Sequence, residues 1–327
     1  VRLGSAQTSA IPHRKSHTQR SGQMNDKPHA DDLTHDRTRL PSGVVEQVSP
    51  LIRRLISPNP SPFTFTGTCG YIIGKGDVAF IDPGPENDAH VETILSAIAG
   101  EKLTHILVTH THRDHSPAAR ALKHATGAPI FGCARHIEIA HAPSGRLDAS
   151  HDLEHIPDHE MKDGETLTGA GFTLTAVHTP GHASNHLCFS LAQENALFSG
   201  DHVMAWSTTI VAPPDGVMSD YMASLEKLRA RREALYWPGH GAPVSEPQRF
   251  LRGLVAHRRL RESAILGAIG AGDRTVAAIV DRVYAGLDEK LKKAAALSTL
   301  AHLEDLVARG KIDAGGPATL EANYRPA

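Results

Sequence analysis

The stretch Ile106-Leu107-Val108-Thr109-His110-Thr111-His112-Arg113-Asp114-His115 runs an apolar, strand-like segment straight into three imidazoles and a carboxylate within six residues. Side chains of an extended segment alternate with period 2, so His110 and His112 point the same way. A helix beginning just beyond turns Asp114 and His115 toward a neighbouring position. One short piece of chain can thus serve two cations, and it reads as the floor of a two-metal hydrolytic site. The chain holds 22 His in 327 residues, and at that frequency such a motif arises by chance in about one chain in two hundred. Further segments are needed to decide.

Three supply what is missing. Thr179-Pro180-Gly181-His182 follows the alternating strand Phe172-Thr173-Leu174-Thr175-Ala176-Val177; Ser199-Gly200-Asp201 follows Ala196-Leu197-Phe198; Pro238-Gly239-His240-Gly241 follows Leu235-Tyr236-Trp237. Each is a buried strand that stops at Gly or Pro and presents a His or Asp in the loop beyond. Loops on a rigid scaffold are where sites are built.

In order and spacing, from about Asp82 to His240, these residues resemble the metallo-β-lactamase superfamily, whose marks are HxHxDH, a later His, an Asp and a last His. The resemblance implies an α/β fold, an αββα sandwich of two sheets faced by helices with the metals at one edge. It also implies that His110, His112 and His182 hold metal 1, that Asp114, His115 and His240 hold metal 2, and that Asp201 bridges. Asp82, at the end of Val78-Ala79-Phe80-Ile81, matches the family's first motif, where an Asp orients the ligand loop. A ligating His usually gives its other N–H to such a group.

Neutral imidazole and carboxylate suit zinc, and an all N/O set also tolerates manganese or iron. Two cations roughly 3.5–4 Å apart lower a bridging water's pKa to near 7 and polarise the attacked carbonyl or phosphoryl oxygen. The expectation is a dinuclear zinc hydrolase in which metal-bound hydroxide attacks an ester, thioester or phosphodiester, with Asp114 orienting the water or accepting its proton. Tyr221, Trp206 and Thr208, close in sequence to the Asp201 loop, are candidates for the substrate pocket. Asp201 stands where many zinc β-lactamases use Cys, which disfavours antibiotic hydrolysis. Only 38 residues separate it from His240, too few for the domain inserted in the β-CASP branch.

Among the other histidines, His178, His186 and His202 flank the ligands and read as structural or supporting groups. His151, His155 and His159 recur every four residues among acidic neighbours, but Pro157 interrupts a helix there, so a solvated loop is expected.

The chain is 40% apolar and 21% charged, with net charge −2, which gives no global case for nucleic acid or an anionic membrane. Three scattered cysteines, Cys69, Cys133 and Cys188, form no disulfide framework and point to a reducing, cytoplasmic setting. No apolar run reaches the 18 or so residues that span a bilayer. Residues 1–43, rich in Ser, Thr, His, Arg and Pro, are expected to be a disordered tail. Val stands at position 1 and Met24 is the first methionine, so an over-extended start is as good a reading of the tail as a transit peptide.

Residues 44–246 read as the catalytic α/β domain, with strands near Val44–Val48, Gly70–Ile73 and Val78–Ile81 and helices near Ala89–Ala99, Pro117–Ala125 and Tyr221–Leu235. Residues 247–327 read as a linking helix, Pro247 to Ile269, followed by helices Thr275–Tyr284 and Leu291–Arg309 and a short strand after Gly310, the order of a winged helix. With His257-Arg258 and Arg261-Glu262 on the linking helix, the whole is similar to the β-lactamase-like protein 2 subgroup, whose animal members are associated with single-strand endoribonuclease activity. That leaves single-stranded RNA as an alternative substrate, gripped through Arg252, Arg258, Arg259 and Arg261. Against it, the supposed recognition helix carries Glu304 and Asp305. A further alternative is a non-hydrolytic di-iron redox protein. Oligomerisation is left open.

Overall fold

The computed structural model describes residues 33–137 and 151–327. The first sheet begins with β1 (Val45–Gln47), β2 (Ile52–Ile56), β3 (Cys69–Lys75) and β4 (Asp77–Ile81), a meander of antiparallel neighbours. Helix α1 (Asp88–Ala97) then crosses to β5 (Lys102–Val108), and α2 (Ala118–Thr126) crosses to β6 (Ile130–Gly132), each new strand joining in parallel. β7 (His159–Glu160) closes this seven-stranded sheet in chain order. The second sheet comprises β8 (Thr166–Gly169), β9 (Phe172–His178), β10 (Leu187–Leu191), β11 (Ala196–Gly200) and, after α3 (Met218–Arg229), β12 (Leu235–Pro238), in the order β12-β11-β10-β9-β8.

Period-2 alternation places the second sheet between two cores. Leu174, Ala176, Phe189, Leu191, Phe198 and Trp237 face the first sheet, where the Tyr71 ring packs on Phe198 at 5.0 Å and on Trp237 at 6.0 Å. Their sequence neighbours Val177, Cys188, Leu197 and Tyr236 face outward onto α3 and the long helix α4 (Pro247–Gly270). The expected αββα layering is thus present.

At one edge the sheets are stitched by backbone hydrogen bonds: Cys69 N–H donates to Gly239 O at 2.7 Å and Leu187 N–H to Thr109 O at 2.8 Å. The loops after β4, β5, β9, β11 and β12 meet there.

The C-terminal unit is α5 (Val276–Val283), α6 (Glu289–Ala308) and a two-stranded wing, β13 (Ile312–Asp313) with β14 (Arg325–Pro326). Its core takes Ile265, Ala268 and Ile269 from the end of α4 together with Ile279, Leu303, Leu306 and Tyr324. On α6, Ala301 belongs instead to the core under the second sheet.

Three expectations need correction. The tail does not extend to residue 43. Leu33 packs beside the outer core and Leu40 beside the inner one, and Asp36 N–H donates to Ala205 O at 2.9 Å. Apolar side chains and backbone pairing, sparse as they are, suffice to order this segment; residues 1–32 lie outside the described residues.

Helix α3 stops at Arg229 instead of running to Leu235, because Glu233 turns inward to accept from Arg231 and, at 2.9 Å, from Ser190 Oγ. The segment from His151 to Asp158 is not a solvated loop either. His155 is buried against Cys133, and Asp152 is buried while accepting from Ser116 and Arg120. Its backbone also pairs with the motif loop, Asp152 N–H to Thr111 O at 2.6 Å.

Candidate metal centre

Two groups of donor atoms converge at the stitched edge, each with all its atoms within 4.8 Å of one another: His110, His112 and His182, and Asp114, His115, Asp201 and His240. All seven side chains singled out in the sequence are therefore brought together. Gly239 makes this possible, because a Cβ there would stand 2.4 Å from Asp201 Oδ1 and 2.7 Å from the His115 ring.

Four of these imidazoles are oriented by the ring nitrogen far from the centre. His182 Nδ1 donates to Ile210 O at 2.7 Å, His240 Nδ1 to Gly67 O at 3.2 Å, and His115 Nδ1 to Asp82 Oδ2 at 2.9 Å. Carbonyls and carboxylates only accept, so Nε2 of these three rings is the nitrogen that faces the centre and offers it a lone pair once any proton there is displaced. His110 follows by one more step. Thr109 Oγ1 donates to Asp82 Oδ2 at 2.7 Å and so accepts from His110 Nδ1 at 3.0 Å.

Asp82 thus sets two tautomers, and its other oxygen accepts from Thr109 N–H at 2.8 Å. Its backbone sits at φ +53°, a conformation uncommon outside glycine. Such strain persists only where surrounding contacts over-determine it.

The donor set fits divalent cations. His110 Nε2 and His182 Nε2 both lie against His112 Nδ1, at 2.9 and 3.0 Å. One proton on His112 can satisfy only one of those lone pairs, whereas a cation satisfies all three. In the second group His115 Nε2 and Asp201 Oδ1 are buried without a hydrogen-bond partner. His240 Nε2 faces Asp114 Oδ2 at 3.1 Å and Asp201 Oδ2 at 3.4 Å.

The electrostatics agree. Burial, with the neighbouring imidazoles, pushes His110 and His112 well below the usual His range, so both are neutral. Burial alone would do the same to His240, but Asp201 and Asp114 outweigh it and raise it to about 10. His115 rises likewise among Asp114, Asp201 and Asp82. Burial would raise the two carboxyls, yet His115 and His240 hold Asp114 and Asp201 below the usual carboxylate range. Protons balance here the negative charge that a cation would balance.

Two of the three flanking histidines are supports. His186 is buried, with Nδ1 on Thr179 Oγ1 at 2.9 Å and Nε2 accepting from Asp201 N–H at 3.2 Å. His202 is buried against the Tyr221 ring at 4.6 Å, and His178 is exposed.

Sequence reasoning missed a third group, His136, His151 and Asp215. His151 Nε2 lies 3.2 Å from Asp215 Oδ2, and its Nδ1 lies 2.8 Å from Thr111 Oγ1, which accepts from Asn185 Nδ2 at 3.0 Å. Its ring packs on His112 at 4.6 Å. The His136 and His151 rings are stacked at 3.6 Å and 3°, so their in-plane lone pairs run side by side and do not converge. The group buttresses the first donor triad. The four-residue His spacing was its only trace in the sequence.

Of the three expected pocket residues, Trp206 and Thr208 line a cavity of about 470 Å³ between the sandwich and the C-terminal unit. Tyr221 does not. It is fully buried, its hydroxyl donates to His202 O at 3.2 Å, and its backbone lies under Gly181, where a Cβ would approach to 2.3 Å. Proximity in sequence to Asp201 misled, because α3 packs behind the ligand loop and not over its mouth.

Residues 63–240 match the metallo-beta-lactamase superfamily and residues 275–317 the beta-lactamase associated winged helix domain. An atrochrysone carboxyl ACP thioesterase of Paecilomyces divaricatus is 32% identical over 284 residues, 81% of this chain and 82% of that protein. A lactamase-like protein of Pestalotiopsis fici is 28% identical over 78% of this chain and 79% of its own length. Among solved structures, a beta-lactamase domain protein from Burkholderia ambifaria superposes with a TM-score of 0.73 at 19% identity, covering 91% of this chain and 98% of that one. A metallo-beta-lactamase family protein from Thermus thermophilus superposes with a TM-score of 0.70 at 23% identity, covering 86% and 100%. With its fold, its clustered His and Asp side chains and its C-terminal unit all accounted for, this chain belongs to the metallo-β-lactamase superfamily and carries the associated winged helix.

Proposed function

We propose that the protein is a dinuclear, zinc-dependent hydrolase of thioesters. The observation that carries this is the pair of adjacent donor groups whose histidines each turn a ring nitrogen inward. In it, His110, His112 and His182 would hold one ion, Asp114, His115 and His240 the other, with Asp201 between them. Bound divalent ions supply Lewis-acid activation of water and of the scissile carbonyl.

The chain's own residues do the rest. Asp114 is the most accessible of the second group, its side chain 23% exposed against 9% or less for its three companions. It is therefore the carboxylate placed to take a proton from the incoming water and return it to the departing thiolate as the C–S bond breaks. Asp82 holds His110 and His115 in the required tautomers, and Ile210 O does so for His182.

A thioester is favoured within the ester, thioester and phosphodiester set because the thioesterase relative aligns over four-fifths of the chain. The RNA alternative loses its grip. Arg258 is buried and Arg261 donates to Val283 O at 2.8 Å, while Arg252 and Arg259 are exposed and Arg259 reaches Glu226 at 3.5 Å, so the four arginines do not share one exposed face.

Metal-quantified protein assayed on an acyl thioester, the matching oxygen ester and bis(p-nitrophenyl) phosphate tests the reading. Thioester turnover that disappears in Asp114→Ala and Asp201→Ala is the expected result. Unchanged turnover in either metal-replete variant would refute it.

A further inference from the structure

The cavity between the sandwich and the winged helix holds positive charge that is not balanced by carboxylates among the described residues. Arg37, Arg258, Arg261 and Lys290 line it against a single carboxylate, Asp288. That carboxylate is already in use, since Asp288 Oδ1 accepts from Lys290 N–H as the N-cap of α6.

Arg258 is only 4% exposed, yet no carboxylate pairs with it or with Arg261 among the described residues. The protein instead holds these guanidiniums with neutral groups. Arg258 donates to Thr209 O and lies over the Tyr221 ring at 5.0 Å. Arg261 donates to Val283 O at 2.8 Å and lies over Tyr284 at 4.0 Å. Nε of each is buried without a partner.

A buried, unpaired cation is costly and is ordinarily matched by a carboxylate. Here the carboxylate is missing while the donors are oriented. Burial, reinforced by Arg258 and Arg261, depresses the adjacent His257 to about 4 and His302 to about 3.

Two further features make this a ligand site and not only an awkward interface. The Phe65 and Trp206 rings stack at 5.0 Å and 10° on its wall, and Phe65 sits at φ +57°, again strained backbone at a site. The cavity also shares a loop with the donor groups. Ile210 O orients His182, and Thr209 Oγ1 donates to Asp201 O at 2.7 Å, while Trp206, Thr208, Thr209 and Ile210 all line the cavity.

We infer that this cavity binds an oxyanion of the substrate, held by Arg258 and Arg261, while the scissile bond lies over the donor groups on the far side of the same loop. Guanidiniums suit phosphate and carboxylate alike. For a thioester the anion has two possible sources, the phosphate of a phosphopantetheine thiol arm or a carboxylate on the acyl group. Naming these sources rests on the thioester reading; the anion site does not.

Calorimetric titration of the metal-loaded full chain with 4′-phosphopantetheine, uncharged pantetheine and benzoate tests it without turnover. One anion should bind at least tenfold more tightly than pantetheine, and Arg261→Gln and Arg258→Met should each erase that preference with metal content and circular dichroism unchanged. Preference for phosphopantetheine identifies the thiol arm as the source; preference for benzoate identifies the acyl group. Equal, weak binding of all three probes to the wild type overturns the proposal whatever the variants do. A preference that survives both substitutions overturns it too, because the anion then sits on the metals. Thioesters left intact by a protein with the anion preference would sink only the reaction assignment. Hydrolysis of a charged thioester with KM unmoved by Arg261→Gln would sink only the cavity.

Discussion

Asp82 shows how much one residue outside the donor set decides. Its carboxylate binds Thr109 twice and His115 once, so Asp82→Asn replaces an acceptor by a donor facing His115 Nδ1 and frees that ring to turn. Removing such an outer partner weakens metal affinity by about 10–100-fold, and competition with a chromophoric chelator should show a loss in that range with secondary structure retained. The same centre predicts a pH dependence. His240 is raised to about 10, so in the metal-free protein at pH 7 it carries a proton that a metal must displace. Calorimetry in buffers of different ionisation enthalpy should show proton release on metal uptake at pH 7 that vanishes above about pH 10. The pH dependence of stability differs between the two forms. A raised folded pKa stabilises the metal-free protein fully below about 6.5, and this is lost as pH rises through about 10, whereas in the metal-loaded protein His240 is held neutral, so its contribution grows as pH rises to about 6.5 and is level from there to about 10. Thermal melts of both forms across pH 6–10 check this.

At the scale of elements, the centre is made by strand ends, and glycine is what lets them close. Gly181 has φ +132° and stands against the backbone of Tyr221 in α3. Gly181→Ala adds both a strained conformation and a Cβ 2.3 Å from Tyr221 N, which must separate the His182 loop from α3. A loss of about 2–4 kcal/mol in chemical denaturation is expected, within the range of overpacking combined with backbone strain. The strands ending in ligands were legible because each has a clean apolar run before Gly or Pro. β2 and β10 were not. Arg53 and Arg54 interrupt the apolar pattern of β2, and only the fold shows that Arg54 runs buried beside Trp237 to reach Glu46. β10, Leu-Cys-Phe-Ser-Leu, is too short to separate strand from helix by periodicity.

Across the whole molecule, α6 contributes Ala301 to the core beneath the second sheet and Leu303 to the winged-helix core, so sandwich and C-terminal unit are coupled through one rigid element. Leu303→Ala removes a fully buried side chain and should cost about 2–5 kcal/mol. Scanning calorimetry of this variant is expected to show a single transition shifted down as a unit; an early, separate transition for the winged helix would show that the coupling is too weak to matter. The sequence by itself determined the layered fold and the seven donor side chains, because alternation, chain-breaking residues and ligand spacing are local properties of the chain. Tertiary structure alone decided which basic residues face a cavity and which a carboxylate, that Tyr221 packs behind the site, and that His151 and Asp215 brace His112. Each of these depends on contacts between residues far apart in the chain, and burial and charge pairing have no period along a sequence from which to be read.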